Sequence, residues 1–204
     1  RHLGASQFGS LNYALAIFGI LSPLTYLGLT SIFIKDLVEY PNRYDTLMGS
    51  VFFLKIIGSI FIVISFSMIS YVYIDNTDVR DLVWILSFSS FFDSFGVIGY
   101  WYLANARSKY FAIASILAAT VSSITKIIFV YLNKSLVWFG FATATQVIFL
   151  SIFLIVVYSV QNNSIINWKI SFNYSLDLIR KSWPLAVSAF FALIYLKIDQ
   201  VMLG

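Results

Sequence analysis

The chain has no cysteine and only one histidine, His2, and just 11% of its 204 residues are charged. Without cysteine, neither a disulfide framework nor a cysteine-based metal site can form. No G-x-x-x-x-G-K-[ST] segment occurs, so these residues do not hydrolyse nucleotide through a P-loop. No nucleophile and base stand in a catalytic arrangement. The sequence therefore predicts no enzyme activity, no metal site and no cofactor.

Apolar side chains are abundant instead, at 60% of the chain. Soluble domains carry about 25% charged residues, so the composition predicts an integral membrane protein. Crossing the hydrocarbon takes about 20 mostly apolar residues. The predicted fold is all-α, a polytopic α-helical membrane protein with six spans at 10–34, 47–72, 82–104, 111–132, 137–160 and 183–203.

Lysine and arginine are distributed unevenly between the two sides of these spans. The loops after spans one, three and five hold seven of these residues: Lys35, Arg43, Arg107, Lys109, Lys169, Arg180 and Lys181. The opposite side of the membrane holds three. The positive-inside rule makes these odd-numbered loops cytoplasmic. The basic residues form no dense patch, so no nucleic-acid partner is predicted. The first span then runs from outside to inside, and we expect another helix before it in a longer chain.

Two local features of the helices are also predicted. Leu176, Ile179 and Trp183 recur at helical spacing, so residues 173–181 are expected to form a short separate helix on the inner surface or an ordinary linker. Ser182 would then cap the last span, with Pro184 in its first turn. Pro23 removes a backbone hydrogen bond and is expected to kink the first span.

Several charged side chains lie within the predicted spans. Lys55 lies in GSVFFLKIIGSIFIVISF, where a central lysine costs roughly 2.5–3.5 kcal/mol. Asp93 lies near the middle of its span, and Lys126 lies in the outer half of the next. Lys197 and Asp199 are close enough to the outer end of the last span to reach the interface. Chains keep such charges where they face a polar interior.

Small residues share the helical faces of these charges. Gly58 and Ser59 follow Lys55 by one turn, Ser122 precedes Lys126 by one turn, and Gly96 lies near Asp93. Such stripes occur where membrane helices pack closely or line a cavity. In one interpretation Asp93 forms a structural ion pair with Lys55 or Lys126 that locks the bundle. In the other, the cations line a cavity for an anionic amphiphile, with aromatic rings at Tyr100, Trp101 and Tyr102 stacking on sugars.

Three segments resemble a known family. RHLGASQFGSLNYALAI resembles the R-x-L-G-x-x-x-F-G-x-x-x-Y-A segment after the first helix of polysaccharide-repeat flippases. FFDSFGVIGYWYLANARSKY resembles their fourth helix and the loop after it, and SWPLAVSAFFALIYLKIDQVMLG resembles the opening helix of their second half. The family is the O-antigen and capsular polysaccharide repeat-unit flippases, within the multidrug/oligosaccharidyl-lipid/polysaccharide exporter superfamily.

This resemblance implies a two-lobe exporter fold of 12–14 helices, of which this chain would hold helices 2–7. Residues 1–181 would form the first lobe without its first helix, and residues 182–204 the first helix of the second lobe. The implied task is to move an undecaprenyl-pyrophosphate-linked oligosaccharide across the bacterial inner membrane by alternating access, for O-antigen, capsule or exopolysaccharide synthesis. Membrane lipids and a polysaccharide polymerase are the other implied partners.

We predict Lys55, Lys126, Asp93 and Tyr100 as substrate-binding residues. Lys55 is expected to face a water-filled cavity between the lobes and to help bind the pyrophosphate. The alternative within the superfamily is a cation-coupled multidrug exporter, which an acidic cavity would favour. A membrane glycosyltransferase or polymerase would normally show a large extramembrane loop with paired acids. A purely structural scaffold gives no reason to keep several buried charges.

Overall fold

A computed structural model gives the fold, and it describes residues 4–21, 29–73 and 76–202. All regular structure in these ranges is helical, which confirms the predicted all-α class. The α-helices run over Gly4–Leu21 (α1), Leu29–Glu39 (α2), Tyr44–Tyr73 (α3), Thr77–Asp93 (α4), Val97–Ala104 (α5), Ser108–Tyr131 (α6), Leu136–Val160 (α7) and Phe172–Met202 (α8). Short 3-10 turns occupy Pro41–Arg43, Ser94–Gly96 and Ile165–Asn167.

Five helical segments in the described residues are long and apolar enough to cross a membrane. They are Pro41–Met68, Thr77–Ala104, Ser108–Tyr131, Leu136–Val160 and Phe172–Leu196, which match the last five predicted spans. The first predicted span, 10–34, includes residues 22–28, which lie outside the described residues, as does Pro23 with its predicted kink. The chain is therefore a polytopic helical membrane protein, with that first span left as a prediction.

Helix α6 shows how these segments divide their surfaces between protein and lipid. Its small residues Ala114, Ala118 and Ser122 are buried, and the Ser122 hydroxyl donates to the Ala142 carbonyl oxygen of α7 at 2.6 Å. Large apolar side chains such as Ile116 and Ile127 are exposed on the same helix. A continuous exposed apolar face of this length is suited to lipid rather than water. The small residues that precede Lys126 on α6 therefore pack this helix against α7.

The last helix differs from the prediction. Residues 173–181 are helical as expected, but they are continuous with the last span in α8, so the separate surface helix and the Ser182 cap were wrong. Pro184 lies inside α8, and its missing N–H removes the partner of the Arg180 carbonyl. Because Arg180 is exposed, water at the membrane surface can replace that partner. The helix begins instead at Phe172, and the hydroxyl oxygen of the preceding Ser171 accepts from the Tyr174 N–H at 3.4 Å. The proposed division at residues 181 and 182 stays a prediction, although α8 runs across it unbroken.

The segment before α8 is fixed against the start of α3. The Lys169 N–H donates to the Asp45 carbonyl at 3.1 Å, and the Ser171 N–H donates to the Ser50 hydroxyl at 3.0 Å. Gly49 makes this close approach possible, because a Cβ there would lie 2.9 Å from the Lys169 carbonyl carbon. These contacts hold the first turns of α8 against the inner end of the bundle.

Two apolar clusters form the core, one toward each end of the bundle. Residues Val51 and Leu54 of α3 belong to the first cluster, and Ile62 and Phe66 of the same helix belong to the second. Lys55 and Ser59 lie between them on α3 and are buried. A polar layer thus separates two apolar clusters in the middle of the membrane-spanning region.

Candidate functional site

The polar layer is built around an interruption in the third predicted span. Helix α4 ends at Asp93, the 3-10 turn Ser94–Gly96 follows, and α5 begins at Val97. A 3-10 turn inside a helix shifts the hydrogen-bond pattern and often marks a hinge or a strained segment. The last carbonyl groups of a helix need partners from outside the regular ladder. In lipid, water cannot supply them, so the protein must.

Three side chains from two neighbouring helices donate to carbonyl oxygens at the end of α4. The Ser59 hydroxyl of α3 donates to Ser90 at 2.9 Å, and the Ser151 hydroxyl of α7 donates to Phe92 at 2.6 Å. The Lys55 ammonium donates to the carbonyl oxygen of Asp93 at 2.7 Å. The lysine is thus a side-chain cap for a helix end within the membrane.

The charge of Lys55 is balanced by the side chain of the same residue, Asp93. Lys55 Nζ lies 3.1 Å from Asp93 Oδ2, and the side chains are 2% and 26% exposed. Among the described residues, Oδ2 has no hydrogen-bond partner, so this contact is a close charge pair rather than an aligned hydrogen bond. The Tyr100 ring lies on another side of the ammonium group, with its centroid 5.4 Å from Nζ. A ring face at this distance stabilises a cation.

Gly96 lies beside the ammonium group, where a Cβ would be at ordinary van der Waals distance. A Cβ at this position would lie 3.4 Å from Lys55 Nζ and 3.9 Å from Asp93 Oδ1. The Ser94 hydroxyl lies 3.5 Å from that of Ser59, which extends the polar contacts along the same interface. The interruption therefore places a glycine and a carboxylate beside the buried lysine, and a hydroxyl beside Ser59.

Three of the four predicted site residues thus come together: Lys55, Asp93 and Tyr100. Lys126 does not join them. Ser151 of α7 contacts the end of α4, whereas Ala142 of α7 contacts Ser122 of α6, about 14 Å further along the helix axis. Lys126 lies one turn beyond Ser122, about 6 Å further in the same direction.

The surroundings of Lys126 also differ from those of Lys55. Its side chain is half-buried, and it makes no ion pair within the described part of the chain. The ion pair with Asp93 therefore involves Lys55 and not Lys126. The side chains of Lys197 and Asp199 lie outside the described residues.

One expectation about Lys55 differs from the structure. Its side chain was expected to face a water-filled cavity, but at 2% exposure it is enclosed by its own bundle. The reason is the carbonyl oxygen left at the end of α4, which attracts the ammonium group inward. The predicted binding role of Lys55, Lys126, Asp93 and Tyr100 stays a prediction.

Sequence reasoning missed two hydroxyl groups of this layer, those of Ser94 and Ser151. Ser151 is a lone polar residue within the apolar stretch QVIFLSIFLIVVYS, and it also donates to Val147 of its own helix at 2.9 Å. A lone serine is so common in membrane helices that this signal is weak. No metal-binding group of histidine, cysteine, aspartate or glutamate occurs in the residues searched, 4–21, 29–73 and 76–202.

The fold and the polar layer define a polytopic α-helical membrane protein with a charged pair buried in its bundle. A sequence model of the family described as "Polysaccharide biosynthesis protein" matches residues 1–204. The chain belongs to this polysaccharide biosynthesis family, which confirms the resemblance to the O-antigen and polysaccharide flippases. No curated protein and no solved structure matches the chain.

Proposed function

We propose that this protein is a flippase that moves an undecaprenyl-pyrophosphate-linked oligosaccharide from the inner to the outer leaflet of the bacterial inner membrane. The family match over residues 1–204 is the observation that carries the proposal. Apolar helices that cross the membrane supply the route, and the polyprenyl tail can stay in lipid while the head group crosses. The task needs no covalent chemistry.

The buried pair has a specific part in this proposal. Lys55 and Asp93 hold the interrupted helix α4–α5 against α3, which favours the ion-pair lock over direct contact with the pyrophosphate in the conformation described. A low-dielectric interior strengthens the attraction within the pair. Binding of the pyrophosphate by Lys55 would require the pair to open during alternating access.

The multidrug exporter is the second candidate function. Because Asp93 neutralises Lys55, the charge of this lysine does not argue against a cationic substrate. The polysaccharide family match still favours a sugar substrate.

Depletion of the full-length protein in its own host tests the proposal. We expect surface polysaccharide to disappear while lipid-linked repeat units accumulate in the inner leaflet, and a plasmid copy to reverse both effects. Resistance to cationic drugs should not change. Normal polysaccharide after depletion, together with drug sensitivity, would support the exporter instead.

Substitution at Lys55 separates the two roles of the residue. Lys55→Arg should keep partial export because a cation remains with different geometry, and Lys55→Ala should abolish export. Protein level in the membrane is the second readout. A reduced level of the alanine variant supports the lock, whereas a normal level with lost export supports substrate binding.

A further inference from the structure

A second polar feature lies at the inner end of the bundle, away from the Lys55 layer. It is a pocket of about 570 Å³ between the end of α2, the start of α3 and the start of α8. This volume is in the range of small-molecule sites, roughly 300–1,000 Å³. Its lining residues are Ile32, Lys35, Asp36, Glu39, Tyr40, Arg43, Thr46, Leu47, Ser171, Tyr174, Asp177 and Lys181. The loop that contains Arg43 is cytoplasmic in the predicted topology.

The three carboxylates of the pocket already have partners. The Tyr174 hydroxyl donates to Asp36 Oδ2 at 2.7 Å and so connects α8 to α2. The Tyr40 hydroxyl donates to Glu39 Oε1 at 2.9 Å, and this hydrogen bond raises the pKa of Tyr40 so that the hydroxyl keeps its proton. Asp177 pairs with Lys181 at 2.6 Å. Each carboxylate still has lone pairs free to accept further hydrogen bonds.

Two cations of the pocket are uncommitted. Lys35 and Arg43 are exposed, and neither makes an ion pair or a side-chain hydrogen bond with another described residue. The hydroxyl of Thr46 lies in the same lining. Phosphate oxygens are strong acceptors for such groups, and an arginine can donate to them in bidentate fashion.

We propose that this pocket binds the pyrophosphate and the first sugar of a lipid-linked oligosaccharide at the inner leaflet, before translocation. The proposal rests on the proposed flippase function and adds a docking site to it. Lys35 and Arg43 contact the pyrophosphate, and the carboxylates of Asp36 and Glu39 accept hydrogen bonds from sugar hydroxyl groups.

The charge balance of the lining selects between ligands. Its three basic residues, Lys35, Arg43 and Lys181, equal its three acidic residues, Asp36, Glu39 and Asp177. A plain anionic phospholipid therefore gains little net attraction. A ligand with both phosphate groups and hydroxyl donors finds a partner for each. The apolar side chains of Ile32 and Leu47 complete the lining.

The test measures binding to the purified full-length protein in detergent by calorimetry. The probes are farnesyl-diphospho-N-acetylglucosamine, farnesyl diphosphate and dihexanoyl-phosphatidic acid, whose head group is a phosphate without sugar or glycerol hydroxyls. The double variant Lys35→Ala/Arg43→Ala should raise the Kd of the sugar-bearing probe at least tenfold. The control Lys109→Ala/Arg180→Ala removes two exposed cations from the same membrane side but not from the pocket, and it should stay within twofold of wild type.

A third variant tests the sugar contact. Glu39→Gln keeps the size of an exposed side chain, so it is expected to leave folding intact. It should weaken binding of the sugar-bearing probe severalfold and leave farnesyl diphosphate unchanged. Equal binding of phosphatidic acid and the sugar-bearing probe would overturn the assignment and identify a phospholipid site. An unchanged Kd in the Lys35→Ala/Arg43→Ala variant would show that the ligand does not bind in this pocket.

Export of polysaccharide in cells, measured in parallel, separates this proposal from the proposed function. If wild type restores export in depleted cells while the double variant binds and exports normally, only the pocket is wrong. If wild type fails to restore export, the flippase proposal is wrong as well.

Discussion

At the scale of single residues, Lys55 shows how a membrane helix can keep an ammonium group. A central lysine costs roughly 2.5–3.5 kcal/mol in lipid. A hydrogen bond that involves a charged group contributes about 1.5–3 kcal/mol, and Lys55 makes one to the Asp93 carbonyl at 2.7 Å. The Asp93 carboxylate and the Tyr100 ring add further stabilisation. These contacts offset part of the insertion cost of the lysine.

The coupling between Lys55 and Asp93 can be measured with a double-mutant cycle. Removal of one partner from a buried pair costs roughly 3–5 kcal/mol, and we expect the lower end because Asp93 is 26% exposed. Lys55→Met and Asp93→Asn should each lower the thermal stability of the full-length protein in detergent. The double variant should be more stable than the sum of the two losses predicts. Strictly additive losses would contradict a direct pair.

At the scale of elements, the interruption between α4 and α5 depends on donors from α3 and α7. Ser59 and Ser151 each donate a hydrogen bond to a carbonyl oxygen in the last turn of α4. The end of α4 is therefore tied to both neighbouring helices. Removal of any one of these hydrogen bonds should destabilise the 3-10 turn Ser94–Gly96.

Ser151→Ala tests this arrangement. Loss of the hydroxyl removes its hydrogen bond to the Phe92 carbonyl, at a net cost of about 0.5–1.5 kcal/mol. Ser115→Ala is the matched control, because Ser115 is only half-buried and donates within its own helix to Phe111. The control should change stability by less than about 0.5 kcal/mol. Hydrogen exchange at residues 94–97 should accelerate only in the Ser151 variant, and equal exchange in both variants would contradict the capping role.

The position of most apolar spans could be predicted from the sequence, but the start of α8 and the contacts between helices could not. Apolar runs placed 137–160 within one residue of Leu136–Val160, since composition alone sets the length of a span. The choice between Lys55 and Lys126 as the partner of Asp93 depended on the alignment of neighbouring helices, which no local pattern encodes. Pro184 indicated a helix start, yet the packing of Ser171–Leu178 on the bundle kept α8 continuous.

At the scale of the whole molecule, the predicted topology puts the basic loops in the cytoplasm. This orientation gives the inner pocket access to the leaflet where lipid-linked sugars are assembled under the proposed function. Lys35, Arg43 and Lys181 would all lie at that surface. The docking proposal therefore requires that the basic loops, and with them the pocket, lie on the cytoplasmic side.

Cysteine labelling tests the orientation, and residues 1–204 contain no cysteine to interfere. A cysteine at Asn76, before α4, should react with an impermeant maleimide in intact cells. A cysteine at Asn105, after α5, should react only after permeabilisation. Both positions are exposed, so accessibility does not differ between them. The opposite labelling pattern would reverse the topology and remove the pocket from the inner leaflet.

Translocation by the full-length protein in proteoliposomes tests the central claim most directly. The probe is a fluorescent polyprenyl-diphosphate-linked oligosaccharide, and the readout is its loss from the leaflet accessible to a membrane-impermeant quencher, under imposed proton and sodium gradients. We predict faster translocation than in protein-free vesicles, and Asp93→Asn should reduce the rate per folded molecule. Equal rates with and without protein, under every gradient, would contradict the flippase account.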